Sequence, residues 1–214
     1  MSRPATAPDI DHLAEFADAS VRALHRRGSL LGVPGSYGLK RLLSERWGNR
    51  GNAVYTFVGS LLAIGMSGAC AYAFNEPLLF PSLGATAFLI FETPLAEVGS
   101  PRNTIVGHLV AIGAAAFALA AFDLLDASSA LEAGVTGARI GAVALAVGLT
   151  GGLLRLLRSA HPPGGATTMI VALGLLSSRR EIAAVAVGVV IVTVAGWLLN
   201  RALGVPAPVW AARA

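Results

Sequence analysis

The sequence predicts an all-α fold, a polytopic membrane bundle of helices, and three observations lead to that prediction. Hydrophobic residues make up 55% of the chain and charged residues only 13%, whereas an average soluble domain has about 25% charged residues. From residue 53 onward, long apolar runs alternate with short polar breaks. A short motif containing Pro and Gly occurs twice among those runs.

The apolar runs divide into long and short ones. Crossing a bilayer takes about 20 apolar residues, and four runs reach that length. The runs at 78–95 and 162–177 contain Pro and Gly, which predicts short broken helices that either cross or re-enter. Six crossings with the N-terminus inside satisfy the positive-inside rule better than re-entrant segments do. The four long runs cover residues 53–74, 104–123, 137–157 and 182–203.

The N-terminal region is polar and is predicted to lie on the cytoplasmic side. Residues 9–27 place apolar side chains on one helical stripe, which predicts a soluble or surface-lying amphipathic helix. Residues 39–50 combine leucines and Trp47 with Lys and Arg, a pattern typical of a cytoplasmic interfacial anchor; a solvated helix is the alternative. The predicted division is 1–50 for this region, 51–204 for the transmembrane domain and 205–214 for a C-terminal tail.

The repeated motif reads PSLGAT at residues 81–86 and PPGGAT at residues 162–167. Each copy begins a short segment that lies between two long apolar runs. This layout predicts an internal duplication, with halves at about 53–123 and 137–203. With three passes in each half, the halves have opposite orientations, so the sequence predicts an inverted repeat with discontinuous helices, a plan found in transporters.

The helix breakers have a physical use at membrane depth. A helix that begins inside the protein leaves its first N–H groups without intrahelical partners, and these groups form the positive end of the helix dipole. Two such ends would make an anion site without a full charge, with hydroxyls as further donors; kinks packed against glycine-rich neighbours are the alternative. The candidate anion-binding residues of the two motifs are Ser82, Gly84, Ala85, Thr86, Pro162, Pro163, Gly164, Gly165, Ala166, Thr167 and Thr168.

Four further polar residues, outside the two motif copies, are also candidates for substrate binding. Ionisable groups at membrane depth are costly and tend to be functional. His161 adjoins the second motif and could donate to an anion or exchange a proton. His108 either contributes to transport or links helices by hydrogen bonding. Arg102 is either a residue at an anion entrance or a positive-inside anchor, and Asn103 is predicted as the N-cap of the next span.

Several functional classes find no support in the sequence. The four histidines show no metal-ligand spacing, and a single cysteine, Cys70, excludes a disulfide framework. Catalytic motifs and paired carboxylates are also absent from the sequence, so we expect neither an enzyme, a catalytic residue, a metal nor a cofactor. The net charge of +4 without a basic tract gives no reason to expect nucleic-acid binding.

The chain resembles the HPP family of integral membrane proteins, named after a His-Pro-Pro motif. The resemblance rests on PSLGA at residues 81–85, on PRN at 101–103 followed by Gly107 and His108, and on HPP at 161–163. It covers roughly residues 50–203. It implies a small membrane protein, commonly described with four transmembrane helices. Some family members are associated with nitrite transport, and some bacterial members carry an added regulatory domain pair, for which we expect no room after residue 203.

Residues and resemblance together lead to one expectation about function. We expect a multi-pass protein of the bacterial inner membrane with a cytoplasmic N-terminus. It is expected to be a transporter or channel for a small inorganic anion, nitrite above others, and subunits are free to associate as homo-oligomers. Two alternatives stay open: a non-transporting membrane scaffold or sensor, and a membrane enzyme that uses His161 and Arg102.

Overall fold

A computed structural model describes residues 38–176 and 178–210, and every regular element in these ranges is helical. The amphipathic helix predicted at residues 9–27 lies outside the described residues. Four of the helices are long and apolar enough to cross a membrane, and the two motif copies begin shorter helices between them. The elements are α1 (Gly38–Trp47), α2 (Asn49–Phe74), α3 (Pro81–Glu92), a 3₁₀ turn (Glu97–Gly99), α4 (Pro101–Ala121), α5 (Ala130–Ala133), α6 (Gly137–Leu156), α7 (Pro163–Ala172) and α8 (Arg179–Ala202).

The first short segment runs back along the whole of α2. Near the end of α2, Ser67 Oγ donates to the carbonyl of Leu78 at 2.8 Å. Just before α2 begins, Lys40 Nζ donates to the carbonyls of Phe91 and Glu92 at 2.6 and 2.7 Å. Residues 76–92 therefore pass from one end of the bundle to the other, first as extended chain and then as α3.

The second short segment returns along α6 in the same way. Thr150 Oγ1 and Thr168 Oγ1 lie 2.8 Å apart, which places the middle of α7 beside α6. Further along, the buried Arg139 at the start of α6 donates through Nη1 to the carbonyl of Ala172 at 3.2 Å. Since α7 ends where α6 began, the chain has crossed the bundle again.

Contacts at the two ends of the bundle complete the path. Arg180 at the start of α8 pairs with Glu76, which follows α2, at 2.8 Å. At the end of α8, the carbonyl of Leu203 accepts a hydrogen bond of 2.9 Å from the N–H of Leu39, which lies in α1, just before α2. The described chain thus passes between the ends six times, and the second set of three passes begins at the end opposite to the first.

Close backbone approaches show the same inverted repeat. A Cβ added to Gly107 would lie 2.6 Å from Cβ of His161, and one added to Gly188 would lie 3.0 Å from Cε1 of Phe80. Gly107 and Gly188 are 81 positions apart, as are Phe80 and His161. Each half therefore supplies a glycine against which the residue before the other half's motif copy packs. This relationship supports the predicted duplication at the level of packing.

Three of the four long helices begin earlier than the predicted apolar runs because their first turns are polar or contain proline. The prediction that Asn103 caps α4 was wrong. The N-cap is Ser100, whose hydroxyl accepts from the N–H of Asn103 at 3.3 Å, and Pro101 occupies the first helical position. Proline suits that position because its missing N–H would have no intrahelical partner. The last span is closed by a capping box between Ser178 and Glu181.

Apolar packing forms two clusters, one in each part of the bundle. The first joins α2, α3 and α8 around Phe91 and Val192, and the second joins α4, α6 and α7 around Ala118 and Val171. After α8 the chain folds back over the bundle and buries Val205. Most of the remaining surface of the long helices is apolar and exposed, as a lipid-facing surface requires.

Candidate functional site

Five polar side chains from both halves meet in the interior where α3, α4 and α7 pack together. We call this group the polar cluster, and each member is at most 1% exposed. Buried polar groups are costly unless they bond to one another, so their concentration at one place points to a functional site. The polar cluster consists of Ser82, Thr86, His108, His161 and Thr167.

His108 occupies the centre of the polar cluster. Its Nε2 lies 2.9 Å from Thr86 Oγ1, and its Nδ1 lies 2.7 Å from Thr167 Oγ1. Thr86 and Thr167 are the corresponding residues of the two motif copies. The imidazole of α4 therefore bridges equivalent hydroxyls of α3 and α7.

His161, in the turn before α7, faces His108. The two Nε2 atoms are 3.2 Å apart, and the ring centroids are 4.9 Å apart in an edge-on arrangement. The other ring nitrogen, Nδ1, donates to the carbonyl of Val98 in the 3₁₀ turn at 2.9 Å. His161 Nε2 also lies 3.4 Å from Thr86 Oγ1. Backbone from the first half thus orients an imidazole of the second half.

Ser82 closes the polar cluster on its other side. Thr167 Oγ1 donates to Ser82 Oγ at 2.8 Å, and Thr86 Oγ1 donates to the Ser82 carbonyl one turn earlier at 3.0 Å. The two short helices consequently lie side by side and antiparallel, with their first two turns overlapping. The polar cluster fills this overlap.

Glycines allow these polar groups to approach each other. The side chain of His161 packs directly on the α-carbon of Gly107, and a Cβ on Gly164 would lie 2.9 Å from the carbonyl oxygen of Gly107. Any larger residue at these positions would push the turn before α7 away from α4. The glycines next to the HPP and PRN motifs are therefore explained by the close contact of α4 with that turn.

The first-turn N–H groups of the short helices are partly occupied in this structure. Leu83 N–H donates to the Phe80 carbonyl, Gly164 N–H to that of His161 and Gly165 N–H to that of Pro162, each at 2.9–3.0 Å. Such tight first turns satisfy donors that the sequence argument expected to be free. The polar lining here consists of hydroxyls and imidazoles.

The remaining motif residues lie outside the polar cluster. Thr168 bonds to Thr150 and to the Gly164 carbonyl. A Cβ at Gly84 or Gly165 would meet no atom within 4 Å, so these glycines border open space. Pro163 is buried with Gly164 at the start of α7. The other predicted residues, Ala85, Pro162 and Ala166, are exposed.

Arg102 and Asn103 hold the end of α6. The guanidinium of Arg102 donates to the carbonyls of Leu157 and Arg158 at 2.9 and 3.0 Å, and Asn103 Nδ2 donates to that of Ala160 at 3.2 Å. The last carbonyls of a helix lack intrahelical donors and attract cations. Arg102 is therefore engaged with this helix end in the structure, and with Asn103 it fixes the chain that leads to His161.

A cleft at this end of the bundle was not predicted from the sequence. It has a volume of about 370 Å³, and Arg155 and Arg158 line it together with Glu97, Leu154 and Ala160. Ala160 precedes His161, and Glu97 precedes the Val98 carbonyl that binds His161. The cleft therefore adjoins the polar cluster. The exposed arginines are visible in the sequence, but their placement beside His161 depends on the tertiary fold.

Lys40 is a second feature that sequence reasoning missed. It caps the carbonyl end of α3 and lies 5.3 Å from the ring centroid of Tyr55. Burial lowers the pKa of the Lys40 ammonium, and the Glu92 carboxylate partly offsets this effect. In the part of the chain that the structure describes, no group of three or more His, Cys, Asp or Glu side chains could hold a metal ion.

Four helices that are long and apolar enough to span a membrane, apolar outer faces and a polar interior define a polytopic membrane protein. A model of the HPP transmembrane region matches residues 46–208, so the chain belongs to the HPP family. This match includes every member of the polar cluster.

Two curated relatives are transmembrane proteins of Dictyostelium discoideum. One is 33% identical over 98 residues, which are 46% of this chain and 31% of that protein. The other is 34% identical over 92 residues, which are 43% of this chain and 26% of that protein. The matched region is thus about a third or less of each relative's length. No solved structure matches the chain.

Proposed function

We propose that this HPP-family protein is a membrane transporter for a small inorganic anion, with nitrite as the leading candidate. The observation that carries the proposal is the polar cluster, which unites hydroxyls and imidazoles from two antiparallel short helices inside an inverted repeat. In transporters of this plan, substrates bind between the halves, at discontinuous helices.

The chemistry of the polar cluster suits a small anion. Hydroxyls of Ser82, Thr86 and Thr167 donate hydrogen bonds, and imidazole N–H groups do the same. The positive ends of the α3 and α7 dipoles lie beside these groups and favour negative charge. The lining contains no carboxylate, so nothing in it repels an anion.

Passage requires a change of conformation. The members of the polar cluster are almost fully buried, so the described structure is closed toward both ends of the bundle. Separation of the two halves along the α3–α7 contact would expose Ser82 and Thr86 to one side and then to the other. Rocking of inverted repeats around a fixed site is the general form of such a cycle.

Charge supports an orientation and an entrance. One end of the bundle carries Arg155, Arg158 and Arg201 together with the basic helix α1, so we place that end and the N-terminus in the cytoplasm of a bacterial inner membrane. At the other end Arg180 is paired with Glu76. The cleft with Arg155 and Arg158 would concentrate anions beside His161.

Flux measurements on proteoliposomes test the proposal. Nitrite, nitrate, formate and chloride are offered in turn, with protein-free vesicles as background. We expect nitrite flux that Thr86→Val lowers strongly and that Thr193→Val leaves unchanged. Thr193 is the matched control, because it is a buried span threonine whose hydroxyl bonds only its own helix, to the Val189 carbonyl.

The result that would overturn the proposal is equally definite. If wild-type protein moves none of the four anions, with or without a pH gradient, transport of these ions is rejected. A non-transporting scaffold or sensor would then account for the inert vesicles. Turnover of an added substrate in detergent, lost on replacement of His161, would instead favour a membrane enzyme. Homo-oligomerisation stays a prediction of its own.

A further inference from the structure

The positions of the hydrogens in the polar cluster indicate which ion would move together with the anion, an inference that rests on the proposed function. The Nε2 atoms of His108 and His161 are 3.2 Å apart. A hydrogen bond has this length, whereas two facing lone pairs would repel each other at this distance. The question is which hydrogen occupies that contact.

His161 cannot supply the hydrogen when it is neutral. Its Nδ1 lies 2.9 Å from the carbonyl of Val98, and a carbonyl only accepts hydrogen bonds. Nδ1 therefore bears the single hydrogen of the neutral ring. Its Nε2 carries a lone pair that points at His108.

With the Thr167 and Thr86 hydroxyls oriented as in the structure, His108 lacks a spare hydrogen for the same contact. The Thr167 hydroxyl donates to Ser82 Oγ, so the 2.7 Å contact between His108 Nδ1 and Thr167 Oγ1 takes its hydrogen from Nδ1. The Thr86 hydroxyl likewise donates to the Ser82 carbonyl. A neutral His108 then presents a lone pair at Nε2 both to Thr86 Oγ1 at 2.9 Å and to His161 Nε2.

One added proton satisfies both contacts at once. Placed on His108 Nε2, it is donated to His161 Nε2 and to Thr86 Oγ1, and it can move to His161 Nε2 without a change of either ring's position. The groups that face the two rings are otherwise uncharged: the hydroxyls of Ser82, Thr86 and Thr167 and the carbonyl of Val98.

Charged side chains on the surrounding elements point elsewhere. Glu92 of α3, Glu97 of the 3₁₀ turn and Arg155 of α6 are exposed, and Arg102 of α4 binds the carbonyls that end α6. The buried Arg139 of α6 binds the carbonyls of Ala172 and Ser128 at the far end of α7. The charged residues of α8 lie in its first and last turns, and α7 has none. The histidine pair is thus the proton-binding element of this interior.

We propose that His108 and His161 hold one exchangeable proton between their Nε2 atoms, and that this proton crosses the membrane together with the anion. A hydronium ion gives the proton to the vacant Nε2 lone pair and leaves as water, so the pair gains one positive charge and no other bond changes. A buried charge is costly unless it is paired. An anion bound at the polar cluster pairs it, so the anion and the proton favour each other's binding reciprocally.

Flux under an imposed membrane potential tests the coupling. One anion that moves with one proton transfers no net charge, so its accumulation is independent of potential. An anion that moves alone shifts its equilibrium accumulation by about 50-fold per 100 mV. We expect nitrite accumulation by the wild-type protein to be independent of the membrane potential. We also expect the receiving compartment to acidify faster than in protein-free vesicles. His108→Gln is expected to lose that proton movement, and His25→Gln, before the matched HPP region, to retain it.

Nuclear magnetic resonance of the full chain in lipid nanodiscs tests the proton pair without transport. With ¹⁵N-labelled histidine, a coupling between the two Nε2 nuclei through the hydrogen bond is expected together with the nitrogen shifts of one imidazolium, and His161→Gln is expected to abolish the coupling. The coupling between two neutral rings would show that His108 donates its own hydrogen and would overturn the added proton. If the coupling is seen and no anion moves, the proposed function fails and the shared proton stands without a transport role. If nitrite moves with a potential dependence and no proton, transport stands and the coupling is overturned. A stoichiometric metal ion in the purified protein, in place of the N–H–N signal, would overturn the shared proton.

Discussion

Gly107 and His161 come from opposite halves of the chain and lie so close that a single methyl group would not fit between them. A Cβ built on Gly107 would be 2.6 Å from the Cβ of His161, below any ordinary contact distance. The carbonyl of Gly107 also limits Gly164 at 2.9 Å. Because the position of His161 depends on this contact, the glycine of α4 helps to set the distance between the two imidazoles.

Replacement of Gly107 by Ala is expected to damage both stability and transport. Overpacking of a filled interior costs about 1–3 kcal/mol, and relief of the clash would move His161 away from His108. Thermal unfolding in detergent and nitrite flux measure the two effects. The control is Gly113→Ala in the same helix, where an added Cβ meets no atom within 4 Å. Equal behaviour of the two variants would contradict the proposed role of the contact.

A buried hydrogen bond between Tyr55 and Asn200 connects α2 to α8. Tyr55 Oη donates to Asn200 Oδ1 at 2.7 Å, and Asn200 Nδ2 donates to the carbonyl of Ile90 in α3 at 3.1 Å. Tyr55→Phe leaves the amide oxygen without its donor, so we expect a loss of about 1–2 kcal/mol in the free energy of unfolding. Unfolding in mixed micelles measures it. Tyr72→Phe is the control because Tyr72 is 91% exposed.

The exposed pair of Glu76 and Arg180 predicts a pH dependence of stability. The hydrogen bond from Arg180 lowers the pKa of the Glu76 carboxyl. The pair therefore stabilises the folded state above the ordinary Glu pKa of about 4.3, and this contribution is lost as the pH falls through the lowered pKa. We expect the melting temperature of the wild type to be slightly higher than that of Glu76→Gln at neutral pH, and the difference to disappear in acid.

The matched control for this pH dependence is Glu132→Gln, which changes an exposed carboxylate at the same end of the bundle. Its melting temperature should follow that of wild type across the pH range. A gap between wild type and Glu76→Gln that widened in acid would contradict the predicted sign. Thermal melts at closely spaced pH values provide the measurement.

The arginines that line the cleft are expected to attract the anion from solution before it binds at the polar cluster. Arg155→Gln should raise the nitrite concentration for half-maximal flux and weaken the effect of salt on that concentration, because long-range attraction of exposed charges is screened. The maximal flux should be unchanged, since Arg155 lies outside the polar cluster. Arg179→Gln, at the opposite end, is the control when nitrite is supplied at the basic end. A lower maximal flux with unaltered salt dependence would refute an encounter role.

The sequence predicted the fold well where hydropathy and breakers act locally. Apolar runs located all four spans, and the Pro-Gly motifs located both short helices, because these signals depend on neighbours in the chain. The start of α4 was misplaced since Pro101 and Ser100 are not apolar, although they form a good helix start. Hydropathy therefore marks where a span is buried in lipid and misses the polar turn that begins it.

The site was only partly predictable because its geometry depends on contacts across the repeat. His108 and His161 were both candidates, but no local pattern shows that residues 53 positions apart place their Nε2 atoms within 3.2 Å. Arg102 suited either an anion entrance or a positive-inside anchor, with the anchor slightly favoured, and the structure shows it bound to the end of α6. A side chain with several donors fits many environments, so its partner has to be observed.

The last prediction concerns the six passes and uses cysteine labelling in intact membranes. With Cys70 replaced by Ser, single cysteines are introduced at Asn75, Glu97, Arg155 and Arg179, which are all exposed. Passage of both short segments through the bundle places residues 75 and 97 on opposite sides, and likewise residues 155 and 179. Re-entrant segments would place both members of each pair on one side. We expect an impermeant thiol reagent added outside to label residues 75 and 179 and to spare 97 and 155 until the membrane is opened. Labelling of all four from outside would refute the six-pass topology.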